Sequence, residues 1–320
     1  MGKLAFIFPG QASQYPGMGK ELAEKFAAAR AVFDEADRAL GFSISKLCFE
    51  GSEEDLKKTE ITQPAILTVS VAACRVLEEN GVKPDAVAGH SLGEYSAVVA
   101  AGGLPFADAV RLVRNRGRYI QEAVPEGVGA MAAILGLPSA RVAELCAKAA
   151  EGQVCSPANL NSPEQTVISG HAAAVKRAVE LATASGAKRA VMLPVSAPFH
   201  SELMLPAQQR LEADLAAAPI SDLRCPLVNN VDANDITAAE EVRAGLVRQV
   251  SGAVRWEQSV REMIELGVSM FVEVGPGRVL SGLLRQIERS VHCVNVEDEK
   301  GLRIALEKIT AAGKEAAAEA

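Results

Sequence analysis

The sequence predicts an α/β protein: a mostly parallel sheet flanked by helices, carrying an inserted βαββαβ unit of the ferredoxin-like pattern. Three observations carry that expectation. Apolar runs that end in turn residues alternate with helix-length segments in the first 126 residues, the mark of a parallel α/β layer. The rhythm changes over residues 127–195, where six shorter segments read β, α, β, β, α, β. The chain has 320 residues, 49% apolar and only 4% aromatic. That suffices for one large domain with an insertion, packed mainly by alanine, valine and leucine.

In chain order, "KLAFIFPG" reads as a short buried strand stopped by Pro9-Gly10. Residues 18–40 read as a helix, with Leu22, Phe26, Val32 and Phe33 among alanines and charges. "QPAILTVSVAACRVLEENG" has helix length and a stop at Gly81. "PDAVAGHS" is the second strand, and residues 92–101 form the helix behind it. In the insert, "GVGAMAAILGL", "GQVCSPANL", "EQTVISG" and "AKRAVMLPV" are strands, with "SARVAELCAKAA" and "AAAVKRAVELATASG" as helices. The chain leaves the insert as "VSAPFHSELM", forms a helix near 203–217 and returns with "CPLVNNV". "VSMFVEVGPG" and "VHCVNVED" complete the sheet. The expected division is a discontinuous main body over 1–126 and 197–311, an insert over 127–196 and a flexible tail over 312–320.

A formal charge of −7 argues against nucleic-acid binding, which would show a basic face. Six cysteines (Cys48, Cys74, Cys146, Cys155, Cys225 and Cys293) show no CxxC pair and no tight metal spacing, so a metal site is not expected. They read as thiols of a reducing compartment. The apolar start is too short for a signal peptide, and no run reaches the roughly 20 apolar residues of a membrane span. The expectation is a soluble cytoplasmic protein without nucleic-acid or membrane partners.

Gly89-His90-Ser91-Leu92-Gly93 lies between a strand and a helix. In such an elbow the glycines permit a turn too tight for side chains at 89 and 93. The serine hydroxyl is then exposed beside a helix N-terminus, whose N–H groups stabilise an oxyanion. The flanking elements favour a nucleophile over a capping serine. A serine nucleophile needs a base, and the chain has four histidines. His90 adjoins the serine and normally points elsewhere in an elbow, and His171 opens a helix of the insert. His200, in the Pro-bracketed loop "PVSAPFHS", is preferred over His292, although His292 with Glu273 fits the Ser, acid, His chain order of α/β-hydrolases better.

In "PFADAVRLVRNRGRYIQEAV", Arg111, Arg114 and Arg118 fall roughly 90° or more from the centre of the apolar stripe, and Arg116 about 70°, nearest the core. Periodicity leaves a helix-edge salt bridge and a clamp for a substrate carboxylate equally open. Gln11, just past the first strand, could offer a backbone N–H to an oxyanion, although a surface turn is the simpler reading of its loop.

"FPGQASQYPGMG", "GHSLGEYSAVVAAGGL", "RNRGRYIQEAVPEGVGAMAAILG", "PVSAPFHSELM", "PLVNNVDA" and "VEVGPGRVLSGLL", in order from about residue 3 to about 300, resemble the malonyl-CoA:acyl carrier protein transacylases of bacterial type II fatty-acid synthesis. The resemblance implies an α/β-hydrolase-like core with a ferredoxin-like insert. It implies Ser91 as nucleophile and His200 as base, oriented by a backbone carbonyl at the position of Gln249. Gln11 and Leu92 would supply oxyanion N–H groups, and Arg116 would pair with the malonyl carboxylate. Leu92 and Phe199 match the pattern of malonyl over methylmalonyl selection, with His90 a further substrate-binding candidate. No tightly bound cofactor is implied: malonyl-CoA and CoA are substrate and product, and a phosphopantetheinylated acyl carrier protein is the partner, with Lys188 and Arg189 as candidate docking residues. The rivals are a serine carboxylesterase or thioesterase using His292 and Glu273, a non-catalytic docking protein, and a transacylase of a polyketide pathway.

Overall fold

The computed structural model describes residues 2–195 and 197–318. The opening apolar run forms β1 (Lys3–Phe8), whose last five residues are all buried, as expected for a central parallel strand covered on both faces. Helices α1 (Lys20–Lys25), α2 (Ala27–Leu40), α3 (Ile44–Glu50), α4 (Glu53–Lys57) and α5 (Thr59–Glu79) follow. Then come β2 (Ala86–Gly89), α6 (Leu92–Ala100) and α7 (Phe106–Glu122). Residues 127–195 supply β3 (Gly129–Leu135), α8 (Ser139–Ala150), β4 (Cys155–Ser162), β5 (Gln165–His171), α9 (Ala172–Ala184) and β6 (Arg189–Met192).

After a 3₁₀ turn at Glu202–Met204, the chain forms α10 (Leu205–Ala217), β7 (Leu227–Val228), β8 (Asp235–Ile236), α11 (Ala239–Gln249) and α12 (Trp256–Glu265). It ends with β9 (Val268–Val274), α13 (Val279–Ile287), β10 (His292–Val296) and α14 (Glu299–Ala318).

One sheet has the order β10-β9-β1-β2-β7-β8 and is parallel except for the β7–β8 edge. The carboxyl ends of β1 and β2 lie side by side, Phe8 opposite Gly89. A second sheet, β4-β5-β3-β6, is antiparallel throughout. Its strand β4 runs beside the segment after α11: Leu160 N–H donates to Val254 O and Val254 N–H to Ala158 O, both at 2.8 Å. These bonds hold the small sheet over the end of the large one and create the cleft described below.

Two expectations need correction. The helix expected over 18–40 is two, because Phe26 takes extended dihedrals and ends α1. "CPLVNNV" contributes only a two-residue strand, because its asparagines bond side chains into a turn: Asn229 Oδ1 accepts from the N–H groups of Asp232 and Asn234. Residues 312–318 of the tail continue α14, in keeping with the high helix propensity of Ala, Glu and Lys; residues 319 and 320 lie outside the described residues. Among the described residues α5 alone has the length and composition to cross a membrane, but 83% of its most apolar window is buried within the protein. It is a core helix, apolar on all sides.

Candidate active site

Ser91 stands between β2 and α6 at φ 52°, ψ −106°, a strained backbone that costs about 1–3 kcal/mol. The flanking glycines are required sterically. A Cβ at Gly89 would lie 1.9 Å from the Gly93 carbonyl carbon, and one at Gly93 would lie 2.0 Å from Phe8 O. Both obstacles are backbone, so neither can swing aside. Gly93→Ala is therefore expected to destabilise the protein by about 3 kcal/mol or more, read as a lowered urea midpoint; an unchanged midpoint would contradict the elbow geometry.

His200 reaches Ser91 from the loop before α10. Its Nε2 lies 2.7 Å from Ser91 Oγ, while its Nδ1 lies 2.9 Å from Gln249 O and 3.0 Å from Gly252 O. Carbonyl oxygens only accept hydrogen bonds, so Nδ1 carries the proton and Nε2 presents its lone pair to the serine hydroxyl. Burial, reinforced by the Arg116 guanidinium, pushes His200 from 6.5 down to about 3. The imidazole is therefore neutral near pH 7.

Arg116 is 1% exposed and sends one guanidinium nitrogen to Ser91 Oγ at 3.2 Å and Gln249 Oε1 at 2.9 Å. Its Nε has no hydrogen-bond partner, and no carboxylate pairs with the group, among the described residues. Burial lowers its pKa, yet a guanidinium stays protonated. A buried cation with no paired carboxylate among the described residues thus points at Ser91 Oγ. Arg111, one of the three arginines placed away from the core by helix phase, instead pairs with Asp108 at 3.3 Å.

Beneath the elbow lies a buried polar layer. Gln249 Nε2 donates to Ser91 O at 2.8 Å and to Glu94 Oε2 at 2.7 Å. Asn230 Oδ1 accepts from Ser91 N–H at 2.7 Å. Burial raises Glu94 from 4.5 to about 7, opposed by the hydrogen bonds from Gln249 and Asn230 N–H.

His200 and Glu94 give opposite pH dependences. The unfolded chain takes up a proton at His200 more readily between about pH 3 and 6.5, so this group lowers stability as pH falls through that window. Folded Glu94 holds its proton up to about pH 7, so its contribution is full below about 4.5 and is lost as pH rises to 7. Glu94→Gln removes the second effect. Relative to the parent, the variant should gain up to about 1.4 kcal/mol per pH unit between pH 4.5 and 7, measured by urea unfolding across that range. A difference that stays constant with pH would contradict the raised pKa.

A cavity of ≈ 240 Å³ opens above Ser91, lined by Gln11, His90, Leu92, Arg116, Phe199 and His200 from the large body and by Met131, Asn161 and Val167 from the small sheet. His90 Nε2 lies 2.8 Å from Asn161 Oδ1, linking the two sheets across the cleft. The backbone N–H groups of Gln11 and Leu92 have no hydrogen-bond partner among the described residues.

The His292–Glu273 alternative is not assembled. In the β9–β10 register Glu273 faces Asn295 and His292 faces Met270, three positions or about 10 Å apart along the strand. His292 is exposed, and Glu273 is held by Leu280 N–H, Ser281 N–H and the Ser281 hydroxyl at 2.5–2.9 Å. His171 precedes α9 and accepts from Val154 N–H at 3.0 Å. Lys188 is engaged by Glu164 at 2.6 Å, and neither it nor Arg189 lines the cavity.

Residues 5–305 match the acyl transferase domain family. The chain belongs to this family. The malonyl CoA-acyl carrier protein transacylases of Bacillus subtilis and Escherichia coli K12 are 48% and 49% identical to this acyl transferase, over 97% and 96% of its length and 98% and 100% of theirs. Among solved structures, the acyl carrier protein S-malonyltransferase of Vibrio cholerae superposes with a TM-score of 0.93 at 45% identity, covering 95% of this chain and 99% of its own. A malonyl-transacylase in complex with its type II PKS acyl-carrier protein gives 0.93 at 46%, covering 96% and 99%.

The sequence reading missed several groups of this acyl transferase site. Gly252 adds a second carbonyl to His200, and Gln249 contributes its side chain as well as its carbonyl. Glu94 and Asn230 gave no signal. An acid in the first turn of a helix ordinarily answers the helix dipole, and "NNVDAND" reads as turn chemistry.

Proposed function

We propose that this acyl transferase moves a malonyl group from malonyl-CoA to the phosphopantetheine thiol of an acyl carrier protein through a malonyl-Ser91 ester. The observation that carries the reading is the meeting of three groups at one oxygen: Ser91 Oγ, His200 Nε2 at 2.7 Å and an Arg116 nitrogen at 3.2 Å. In the proposed mechanism His200 Nε2 takes the Ser91 proton while Oγ forms a bond to the thioester carbonyl carbon. The unpartnered N–H groups of Gln11 and Leu92 hold the oxyanion, each donor typically worth about 3 kcal/mol. The C–S bond then breaks, and His200 returns the proton to the departing CoA sulfur. The carrier thiol enters, gives its proton to His200 and reverses the steps, leaving Ser91 free. The backbone carbonyls of Gln249 and Gly252 stabilise the imidazolium formed on the way. Arg116 pairs with the malonyl carboxylate.

The product supports chain extension in fatty-acid synthesis, as the similarity to bacterial malonyl CoA-acyl carrier protein transacylases indicates. Polyketide synthesis is the second reading, favoured by the likeness to the type II PKS complex. The large body, 1–126 with 197–311, is read as an α/β-hydrolase-like core and 127–196 as a ferredoxin-like insert. Support for the latter comes from its βαββαβ order and the strand order β4-β5-β3-β6. Malonyl-CoA and CoA are the only small molecules this chemistry requires. The six free thiols suit a reducing compartment, and the cytoplasm is the proposed location.

Intact-protein mass spectrometry tests the reading. A malonyl adduct should form on brief mixing with malonyl-CoA and move to added carrier protein. Loss at the same rate without carrier would make the protein a hydrolase. Phe199, in the cavity wall beside His200, is proposed to fill the space a branched acyl group needs. Phe199→Ser should raise the methylmalonyl-to-malonyl loading ratio roughly tenfold; an unchanged ratio removes it from the selectivity account.

A further inference from the structure

We infer that Asn230, in the turn after β7, is a positioning residue that holds the nucleophile elbow in its reactive conformation. The inference rests on the malonyl-serine reading above. Asn230 is 0% exposed and its carboxamide straddles the elbow. Its Nδ2 donates to Gly89 O and its Oδ1 accepts from Ser91 N–H, each at 2.7 Å. The two bonds engage the carbonyl that precedes His90 and the N–H of Ser91 itself, so both peptides entering the strained residue are fixed. The helix restrains Ser91, at φ 52°, ψ −106°, only on its carbonyl side, where Glu94 N–H donates to Ser91 O at 3.1 Å; its side chain makes no cap and faces His200 and Arg116.

Asn230 is itself immobilised from three directions. Its N–H donates to Glu94 Oε2 at 3.3 Å, its carbonyl accepts from Arg255 N–H at 2.9 Å, and Gln249 Nε2 lies 3.4 Å from Oδ1. The neighbouring Asn229 builds the turn that presents it, accepting from Asp232 and Asn234 N–H. The adjacent asparagines thus divide two tasks, one shaping the turn and the other reaching into the elbow. A further consequence concerns the oxyanion. Asn230 occupies the Ser91 N–H, leaving the Leu92 N–H at the first position of α6 as the donor nearest the serine that lacks a partner among the described residues.

The amide matters at both ends. Aspartate has the same size and keeps an oxygen for Ser91 N–H, but when ionised it sets oxygen against Gly89 O. When protonated it can donate there again. The charged and titratable groups around it are Glu94 on α6, Arg116 on α7, His200 before α10 and, in its own turn, Asp232, which pairs with Arg248 of α11 at 2.6 Å.

The test is the time course of malonyl adduct formation, followed by intact mass, for the parent, Asn230→Ala and Asn230→Asp. Asn230→Ala should acylate about 10- to 100-fold more slowly, reach a full adduct plateau and keep the parent's malonyl-to-acetyl ratio. A folding defect would lower the plateau instead of the rate. Asn230→Asp should be at least about tenfold slow near pH 8 and recover towards the parent as pH falls, because protonation restores the donor to Gly89 O. If Asn230→Ala fails to fold, the aspartate rate and its pH recovery decide. A rate within twofold of the parent at full plateau, or an aspartate variant whose relative rate ignores pH, overturns the inference. A parent protein that never forms the adduct overturns the malonyl-serine reading instead, so the two failures are distinguishable.

Discussion

Ser91→Ala should form no malonyl adduct and should lose transfer activity by about 10⁴-fold or more, because the covalent route is removed outright. The substitution deletes one oxygen from a position where it donates to His200 Nε2 and accepts from Arg116. It leaves the elbow glycines, the Asn230 bonds and the core untouched, so thermal stability should change by less than about 1 kcal/mol. His200→Ala should fall to a similar level. The two losses should not add, since serine and histidine act as one unit in proton transfer. A double variant no slower than either single one is the expected result in steady-state transfer assays. Retained adduct in Ser91→Ala would place the ester on another residue. Full activity in His200→Ala would reopen the choice of base.

How much of this was legible in the chain depends on the distance over which each feature is determined. The elbow was legible because its glycine spacing is local: Gly89 answers to Gly93 in the next turn, although Gly93 answers to Phe8 O at the end of β1, and a five-residue pattern between strand and helix records both. Arg116 was partly legible, since helix phase singled it out as the arginine nearest the core, but phase could not say whether a carboxylate waited there. His200 required a choice that chain order argued against. It is decided by the loop between β6 and α10, which brings His200 onto Gln249 O and Gly252 O, contacts that no periodicity encodes. Asn230 and Glu94 were not legible. Asn230 meets Ser91 across 139 positions and Glu94 across 136, and both residue types have ordinary local explanations. The α3, α4 and α11–α14 helices escaped for a related reason. They are short amphipathic segments or end segments whose helicity is fixed by the helices and strands they pack against rather than by strong internal signals.

Arg116→Ala should reduce malonyl loading by about 10²-fold while acetyl loading falls much less, so that the malonyl-to-acetyl ratio collapses. The physical basis is a buried charge that no carboxylate pairs with directly among the described residues. Arg116 is buried, its Nε is without a partner among the described residues, and its neighbours are the neutral Ser91 Oγ, Gln249 Oε1 and the Tyr95 ring, 5.5 Å from the guanidinium carbon. Keeping a guanidinium in that condition is unfavourable in the free protein, and an incoming carboxylate relieves it. Removing one partner of such a desolvated pair typically costs about 2–5 kcal/mol, which brackets the expected loss. Acetyl has no carboxylate and gains no ion pair from the cation, so its rate reports the disturbance left at Ser91 and Gln249 when the guanidinium is gone. Arg116→Lys separates charge from shape: it retains the cation but not the planar fork that can engage two carboxylate oxygens. Its malonyl rate should lie between those of the parent and the alanine variant. If malonyl and acetyl loading fall in parallel in both variants, the arginine orients the serine and Gln249 alone, and recognition of the carboxylate must come from elsewhere in the cavity.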